Sequence, residues 1–189
     1  FNRITVDGDT STNDCFMLCA SGASALSPIV SVEDPRLLYL EHTIASVAKT
    51  LAQSIVRDGE GATKFVTVTV SGGASRTECL EVGYTVAESP LVKTALFAGD
   101  ANWGRFCMAI GRAQIESLDA AGVSLYLDEV EVAHRGILSA TYSEEAGAAV
   151  LAKEEFEVRI DLGRGPYTET IWTTDLSYEY VRINADYRS

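Results

Sequence analysis

A long amphipathic helix followed at once by an alternating strand most limits the folds open to this chain. Asp34 can cap the free amides of a helix start, and Pro35 suits the first helical position because it has no N–H. Gly59 ends the helix, and residues 65–70 (FVTVTV) alternate as a half-buried strand does. Apolar residues repeat at helical spacing at Leu37, Leu40, Ile44, Val47, Ala48, Leu51 and Ile55. Helices packed on a sheet are therefore predicted.

The rest of the chain predicts further strands and helices without a regular repeat. The predicted strands are residues 3–6, 15–20, 123–132 (with a turn or bulge at 128–129), 156–162, 169–175 and 178–183. The predicted helices are residues 76–87, 90–97, 103–113 and 144–153. Neighbouring alternating strands favour an antiparallel or mixed sheet with helices on one face. A soft boundary near residues 111–122 divides the chain into portions 1–115 and 116–189, unless both form one domain.

Composition excludes several classes of protein. A chain of 189 residues with 47% hydrophobic residues is long and apolar enough to bury a core. The net charge of −12 argues against a nucleic-acid partner, because phosphates need a basic surface. Its apolar runs are too short for a membrane span, and no signal-peptide pattern is present, so we expect a cytoplasmic protein. Buried reduced thiols are predicted for the cysteines, with no metal site, at Cys15, Cys19, Cys79 and Cys107.

Two places combine polar side chains in a way that suits ligand binding. Glu60 lies between two glycines, which let a backbone approach a ligand closely, and its carboxylate can bind an ammonium group. Asn184 and Ser189 form a polar end to the chain, with an amide and a hydroxyl that can hold an amino acid. The alternatives are a solvated helix stop at Glu60 and a loose tail at the other two residues.

Two further strings are ambiguous from their residues alone. Residues 7–14 (DGDTSTND) match a tight turn whose side chains bond their own backbone, and they lack the spacing of a calcium loop. Residues 102–105 (NWGR) offer an aromatic anchor and an arginine that can pair with a carboxylate. Lys93 is similarly open to a structural or a functional interpretation. No Ser-His-Asp order indicates a catalytic triad.

Four segments, in this order, resemble the β chain of the ornithine acetyltransferase (glutamate N-acetyltransferase) family. They are residues 7–14, 57–64 (RDGEGATK), 90–105 (PLVKTALFAGDANWGR) and 184–189 (NADYRS). The resemblance implies a layered αββα sandwich, a mixed α/β fold that resembles the self-cleaving aminopeptidases and is formed together with an α chain. It also implies substrate-binding roles for Glu60, Asn184 and Ser189.

The resemblance implies a ping-pong acetyl transfer from N-acetylornithine to glutamate, in arginine biosynthesis. A precursor cuts itself before a Thr, which becomes the N-terminus of the β chain and carries the acetyl group. That Thr is expected upstream of Phe1, so no catalytic residue is predicted within this chain. The α chain of the same precursor is the expected partner, in a heterotetramer of two α and two β chains. No bound cofactor is implied, although some relatives use acetyl-CoA as a substrate.

Three alternatives remain open at this stage. Water can replace glutamate as the acceptor, which would make the protein an N-terminal-nucleophile amidohydrolase or peptidase. A second possibility is an acetyltransferase paralogue of secondary metabolism. A third is a non-catalytic binding or scaffold domain, suggested by the missing nucleophile.

Overall fold

The computed structural model describes residues 1–187, which form six helices and six strands besides a short 3₁₀ turn. The helices are α1 (Pro35–Arg57), α2 (Arg76–Ala87), α3 (Pro90–Ala98), α4 (Trp103–Arg112), α5 (Glu144–Leu151) and α6 (Tyr178–Asp186). The strands are β1 (Phe65–Gly73), β2 (Ser124–Leu127), β3 (Val130–His134), β4 (Ile137–Leu138), β5 (Glu155–Asp161) and β6 (Tyr167–Thr174). The mixed α/β class predicted from the sequence is confirmed.

All six strands form one mixed sheet in the order β4-β3-β2-β5-β1-β6. β1 pairs in parallel with β5 and antiparallel with β6, while β2 pairs antiparallel with β3 and β5. The interior strand β1, next to the edge strand β6, comes from the first portion of the chain, whereas β5 and β6 on either side of it come from residues 116–189. The sheet therefore joins both sides of the soft boundary, which itself stays a prediction.

The core lies on one face of this sheet, under α2 and α4. Val66, Val68 and Val70 point to that face and are at most 2% exposed, as the alternation of β1 predicted. The intervening Thr67 and Thr69 lie on the opposite face and are only half-buried. The face that carries Thr67 and Thr69 is therefore not fully covered within residues 1–187. A partly uncovered face is what a sandwich formed together with a second chain predicts.

Residues 178–183 form a helix, so the strand predicted there is wrong. The hydroxyl of Ser177 accepts a hydrogen bond from the backbone N–H of Tyr180 at 3.2 Å, and this cap begins α6. Glu179 and Arg182 then form an ion pair one turn apart, an arrangement that a strand cannot make. The Ser177 cap lies just before residues 178–183, so the alternation within those residues gave no sign of the helix.

The buried strand predicted at residues 15–20 is also wrong. These residues form no regular element and are exposed, so Cys15 and Cys19 are not the buried thiols expected. Cys79 is buried and Cys107 is partly buried. A strand needs a partner, and along the β6 edge the N-terminal segment contributes a single bridge, Ile4 to Trp172. That bridge lies within the strand predicted at residues 3–6.

The helix predicted from Asp34 is confirmed, but much of its apolar stripe is not buried. The Asp34 carboxylate accepts the Arg36 N–H at 3.0 Å and caps α1. Only Ala52 and Val56 are buried on this helix. Within the described residues, no helix is long and apolar enough to cross a membrane.

Candidate functional site

A cleft of about 290 Å³ lies where the N-terminal loop, the end of α1 and the first turn of α6 meet. Its lining combines apolar walls with several carboxylates and one phenol. The lining residues are Val6, Asp7, Ile55, Asp58, Gly59, Glu60 and Tyr180. Acidic groups at the mouth of a concave site suit a cationic ligand.

Glu60 and Asn184 meet at this cleft, although 124 positions separate them in the sequence. The Asn184 side-chain amide donates to the Glu60 carboxylate at 2.9 Å and to the Tyr180 carbonyl at 3.0 Å. Both side chains are exposed, so a ligand can reach them. Ser189, the third predicted substrate contact, lies outside the described residues.

The loop that carries Glu60 packs against the start of α6, and Gly61 makes the contact. Ser177 donates its hydroxyl hydrogen to the Gly61 carbonyl at 2.6 Å, while it also caps α6. Gly61 has φ +67°, a left-handed conformation that favours glycine. A Cβ at this position would overlap the Tyr180 backbone nitrogen and lie 2.9 Å from Ser177 Oγ.

We expect Gly61→Ala to lower stability more than Gly99→Ala does. Gly99 has nearly the same φ, +69°, but nothing lies within 4 Å of a Cβ placed there. In both variants the alanine costs about 1–2 kcal/mol of stability because it must adopt a left-handed backbone conformation. Only Gly61→Ala adds the steric overlap with α6. Urea unfolding of the two variants measures the difference in their stability. Equal unfolding midpoints would contradict the close packing of Gly61 against α6.

Asp7 brings the N-terminal loop to the same cleft. Its carboxylate accepts the Tyr180 hydroxyl hydrogen at 2.8 Å and the Asp9 backbone N–H at 2.9 Å. Burial, followed by the hydrogen bond to Asp7, raises the pKa of Tyr180 to about 12. Tyr180 therefore stays a neutral hydrogen-bond donor at physiological pH. The segment 7–14 bonds its own backbone as the tight-turn interpretation predicted, and Asp7 additionally ties it to α6.

The same chain matches known proteins over its whole length. The match to the ArgJ family covers residues 1–189. The chain belongs to the ArgJ family. It is 58% identical to the arginine biosynthesis bifunctional protein ArgJ of Pseudomonas fluorescens (strain Pf0-1) and 57% identical to that of Psychrobacter arcticus (strain DSM 17307 / VKM B-2377 / 273-4). All of this chain is aligned in both cases, covering 47% and 46% of those proteins.

An ArgJ crystal structure has the same fold. The arginine biosynthesis bifunctional protein argJ from Bacillus halodurans matches with a TM-score of 0.92 at 38% identity. The match covers 99% of this chain and 87% of that one. The fold expected from the family resemblance is therefore confirmed, and the chain spans about half the length of the curated ArgJ relatives.

In this ArgJ-family chain, Asp175 binds the backbone between the Glu60 loop and β1. This residue is 3% exposed, and its carboxylate accepts hydrogen bonds from the backbone N–H groups of Thr63 and Lys64 at 2.8 and 2.9 Å. It also accepts the Thr63 and Thr174 hydroxyl hydrogens at 2.6 and 3.0 Å. This one side chain joins the start of β1 to the end of β6.

Lys93 of α3 is buried beside the same strand end. Its ammonium donates to the Thr173 hydroxyl at 3.3 Å and to the Thr174 carbonyl. Burial lowers the pKa of Lys93 to about 8, although the nearby carboxylates of Asp175, Asp7 and Glu88 favour the charged form. In the described chain, Lys93 has a structural role, because its hydrogen bonds to Thr173 and Thr174 join α3 to the end of β6.

Because of Lys93, the free energy of unfolding is expected to rise as the pH increases from about 8 to 10.5. Its pKa falls from 10.5 in its ordinary state to about 8 in the fold, so within this window the unfolded chain binds more protons. Raising the pH therefore favours the folded state, by roughly 3 kcal/mol in total. Urea unfolding at several pH values, compared with Lys93→Met, measures this contribution. A slope that is the same in both proteins would contradict it.

The segment 102–105 has a structural role in the described chain. Trp103 packs against the core cluster, and Arg105 donates to the Leu91 carbonyl at 2.9 Å and to the Thr94 hydroxyl at 3.1 Å. These contacts hold α4 against α3. Sequence reasoning missed Tyr180 as a cleft residue, because it was assigned to a strand rather than to the first turn of α6.

Proposed function

We propose that this chain is the β part of an acetyltransferase that moves an acetyl group from N-acetylornithine to glutamate in arginine biosynthesis. The observation that carries the proposal is the contact between Glu60 and Asn184, the two described residues to which the family resemblance assigns substrate binding. The names of the ArgJ relatives support an arginine-biosynthetic enzyme. Such a role also supports a cytoplasmic location.

In the proposed reaction, a Thr outside residues 1–189 attacks the acetyl carbonyl carbon of N-acetylornithine. The bond from that carbon to the ornithine nitrogen breaks, ornithine leaves as the amine, and the acetyl group stays on the Thr oxygen. The amine of glutamate then attacks the same carbon and releases the Thr. An oxyanion hole on the α chain would stabilise the tetrahedral states.

The residues of this chain bind and orient the substrate in that scheme. The Glu60 carboxylate holds the side-chain ammonium of N-acetylornithine, because an opposite charge at the cleft mouth favours it. The Asn184 amide, already bonded to Glu60 at 2.9 Å, keeps the carboxylate in place and supplies an acceptor oxygen. Ser189 is proposed as a third contact.

The proposal requires a partner region beyond this chain. The chain covers 47% of the Pseudomonas fluorescens relative. We propose that the rest of the longer protein contains both the nucleophilic Thr and the sequence of the α chain. Autocatalytic cleavage of one precursor and an assembly of two α and two β chains belong to the same proposal. Acetyl-CoA is proposed as a possible second donor and not as a bound cofactor.

Intact-mass analysis and N-terminal sequencing of the full-length protein test this function. After incubation with N-acetylornithine, we expect a β chain that begins at a Thr upstream of Phe1 and has gained one acetyl group. Adding glutamate should remove the group and form N-acetylglutamate. Release of free acetate without glutamate would instead indicate an amidohydrolase, and no adduct would contradict the covalent transfer.

A further inference from the structure

Tyr180 contacts three separate parts of the Glu60 cleft through three different groups. Its hydroxyl donates to the Asp7 carboxylate at 2.8 Å, and its backbone carbonyl accepts the Asn184 side-chain amide at 3.0 Å. A Cβ placed on Gly61 would overlap its backbone nitrogen, so the Glu60 loop packs directly against this residue. The N-terminal loop, the Glu60 loop and α6 therefore meet at Tyr180, whose side chain is half-buried.

Val6 and Asp7 form the wall of the cleft that belongs to the N-terminal loop. Val6 packs against the end of α1, since a Cβ placed on Gly59 would lie 3.2 Å from Val6 Cγ1. One oxygen of the Asp7 carboxylate accepts the Tyr180 hydroxyl hydrogen, and the other accepts the Asp9 backbone N–H at 2.9 Å. Because Asp7 itself lines the cleft, the bond that holds it to α6 also fixes the width of the cleft.

A neutral hydroxyl can hold this wall without competing for the ligand. Burial, followed by the hydrogen bond to Asp7, raises the pKa of Tyr180 to about 12, so the phenol is uncharged at physiological pH. A lysine or arginine in its place would form an ion pair with the cleft carboxylates and compete with a ligand ammonium for Glu60. Tyr180 leaves Glu60 free for that ligand.

We infer that Tyr180 is a positioning residue of the substrate site, whose hydroxyl holds Asp7 and thereby sets the width of the cleft in which Glu60 binds the donor. The inference rests on the proposed function for the identity of the donor, N-acetylornithine. A cleft of fixed width discriminates between donors by the length of the chain that carries the ammonium group. Nα-acetyllysine, which is one methylene longer, is therefore disfavoured as a donor, and this preference depends on the Tyr180 hydroxyl.

Tyr180→Phe in the full-length protein tests the inference, because it removes the hydroxyl and keeps the ring. We expect the KM for N-acetylornithine to rise about tenfold, the usual effect of losing a hydrogen bond to a charged group, while kcat changes by less than about twofold. The ratio of kcat/KM for N-acetylornithine to that for Nα-acetyllysine should fall by about fivefold. Tyr178→Phe is the matched control, because it makes the same change on the same helix at a residue that is 85% exposed.

A double-variant comparison separates positioning from a general loss of stability. Asp7→Ala removes the acceptor of the same hydrogen bond and should also raise the KM for N-acetylornithine. If both side chains act through that bond, Asp7→Ala with Tyr180→Phe should bind the donor hardly less well than Asp7→Ala alone. Losses that simply multiply would contradict a shared role.

Hydrogen exchange of a peptide covering residues 5–10, measured without substrate, gives a result that does not depend on activity. We expect its amides to exchange about tenfold faster in Tyr180→Phe than in Tyr178→Phe. Equal exchange, or an unchanged KM and donor preference in an active Tyr180→Phe enzyme, would overturn the positioning role. If the unsubstituted protein forms no acetyl adduct while exchange still rises in Tyr180→Phe, the proposed function fails and the contact that holds the loop is supported.

Discussion

Glu60→Gln in the full-length protein is expected to lower kcat/KM for transfer from N-acetylornithine by about 10- to 100-fold. A hydrogen bond to a charged group contributes about 1.5–3 kcal/mol, and this change removes the charge while Gln keeps an acceptor for the Asn184 amide, which now lies 2.9 Å from Glu60. The loss should appear mainly as a higher KM for N-acetylornithine. Steady-state kinetics with each substrate varied in turn measure it.

The acceptor substrate provides an internal comparison for this change. Glutamate has no side-chain ammonium, so its KM should change much less than that of N-acetylornithine. Glu129→Gln is the matched control, because it makes the same chemical change at an exposed position in the β2–β3 turn. Unchanged kinetics in Glu60→Gln would remove Glu60 from the site.

Asp175→Ala is expected to lower the free energy of unfolding by about 3–5 kcal/mol, the usual cost of removing one partner from a buried charged network. The change leaves the backbone N–H groups of Thr63 and Lys64 without the acceptor they have at 2.8 and 2.9 Å. It also removes a carboxylate that favours the charged form of the buried Lys93. Urea unfolding followed by circular dichroism measures the loss.

Two variants separate the buried network from a general loss of charge. Asp175→Asn keeps one acceptor oxygen for the backbone N–H groups, so its loss should be smaller than that of Asp175→Ala. Asp186→Ala removes an exposed carboxylate in α6 and should change stability little. If Asp175→Ala shifted the midpoint no more than Asp186→Ala, the network would not hold the two strand ends together.

The location of the cleft follows from these contacts. Asp175 joins the start of β1 to the end of β6, and Ser177 two residues later caps α6 and donates to the Gly61 carbonyl at 2.6 Å. The Glu60 loop and α6 are therefore held by one short segment of backbone. A change that loosens this segment should reduce both stability and substrate binding, whereas a change at Glu60 itself should affect binding alone.

Elements with local signals could be predicted directly from the residues. The Asp34 cap and Pro35 specified the start of α1, and the alternation of residues 65–70 specified β1 and its buried face. The family resemblance predicted substrate contacts at Glu60, Asn184 and Ser189, and these roles stay predictions. Each of these depends on residues within one or two turns, or on a motif, and needs no knowledge of distant contacts.

Elements that depend on distant partners became clear from the packed chain. The alternation of residues 178–183 suits a strand, but no strand among residues 1–187 pairs with it, and the Ser177 cap begins a helix instead. The apolar run 15–20 lacks a partner strand within the described chain and stays exposed. The contact of Asn184 with Glu60, the cleft position of Tyr180 and the burial of Lys93 likewise arise where remote segments pack together. Pairing and burial are properties of the packed chain, so periodicity alone could not specify them.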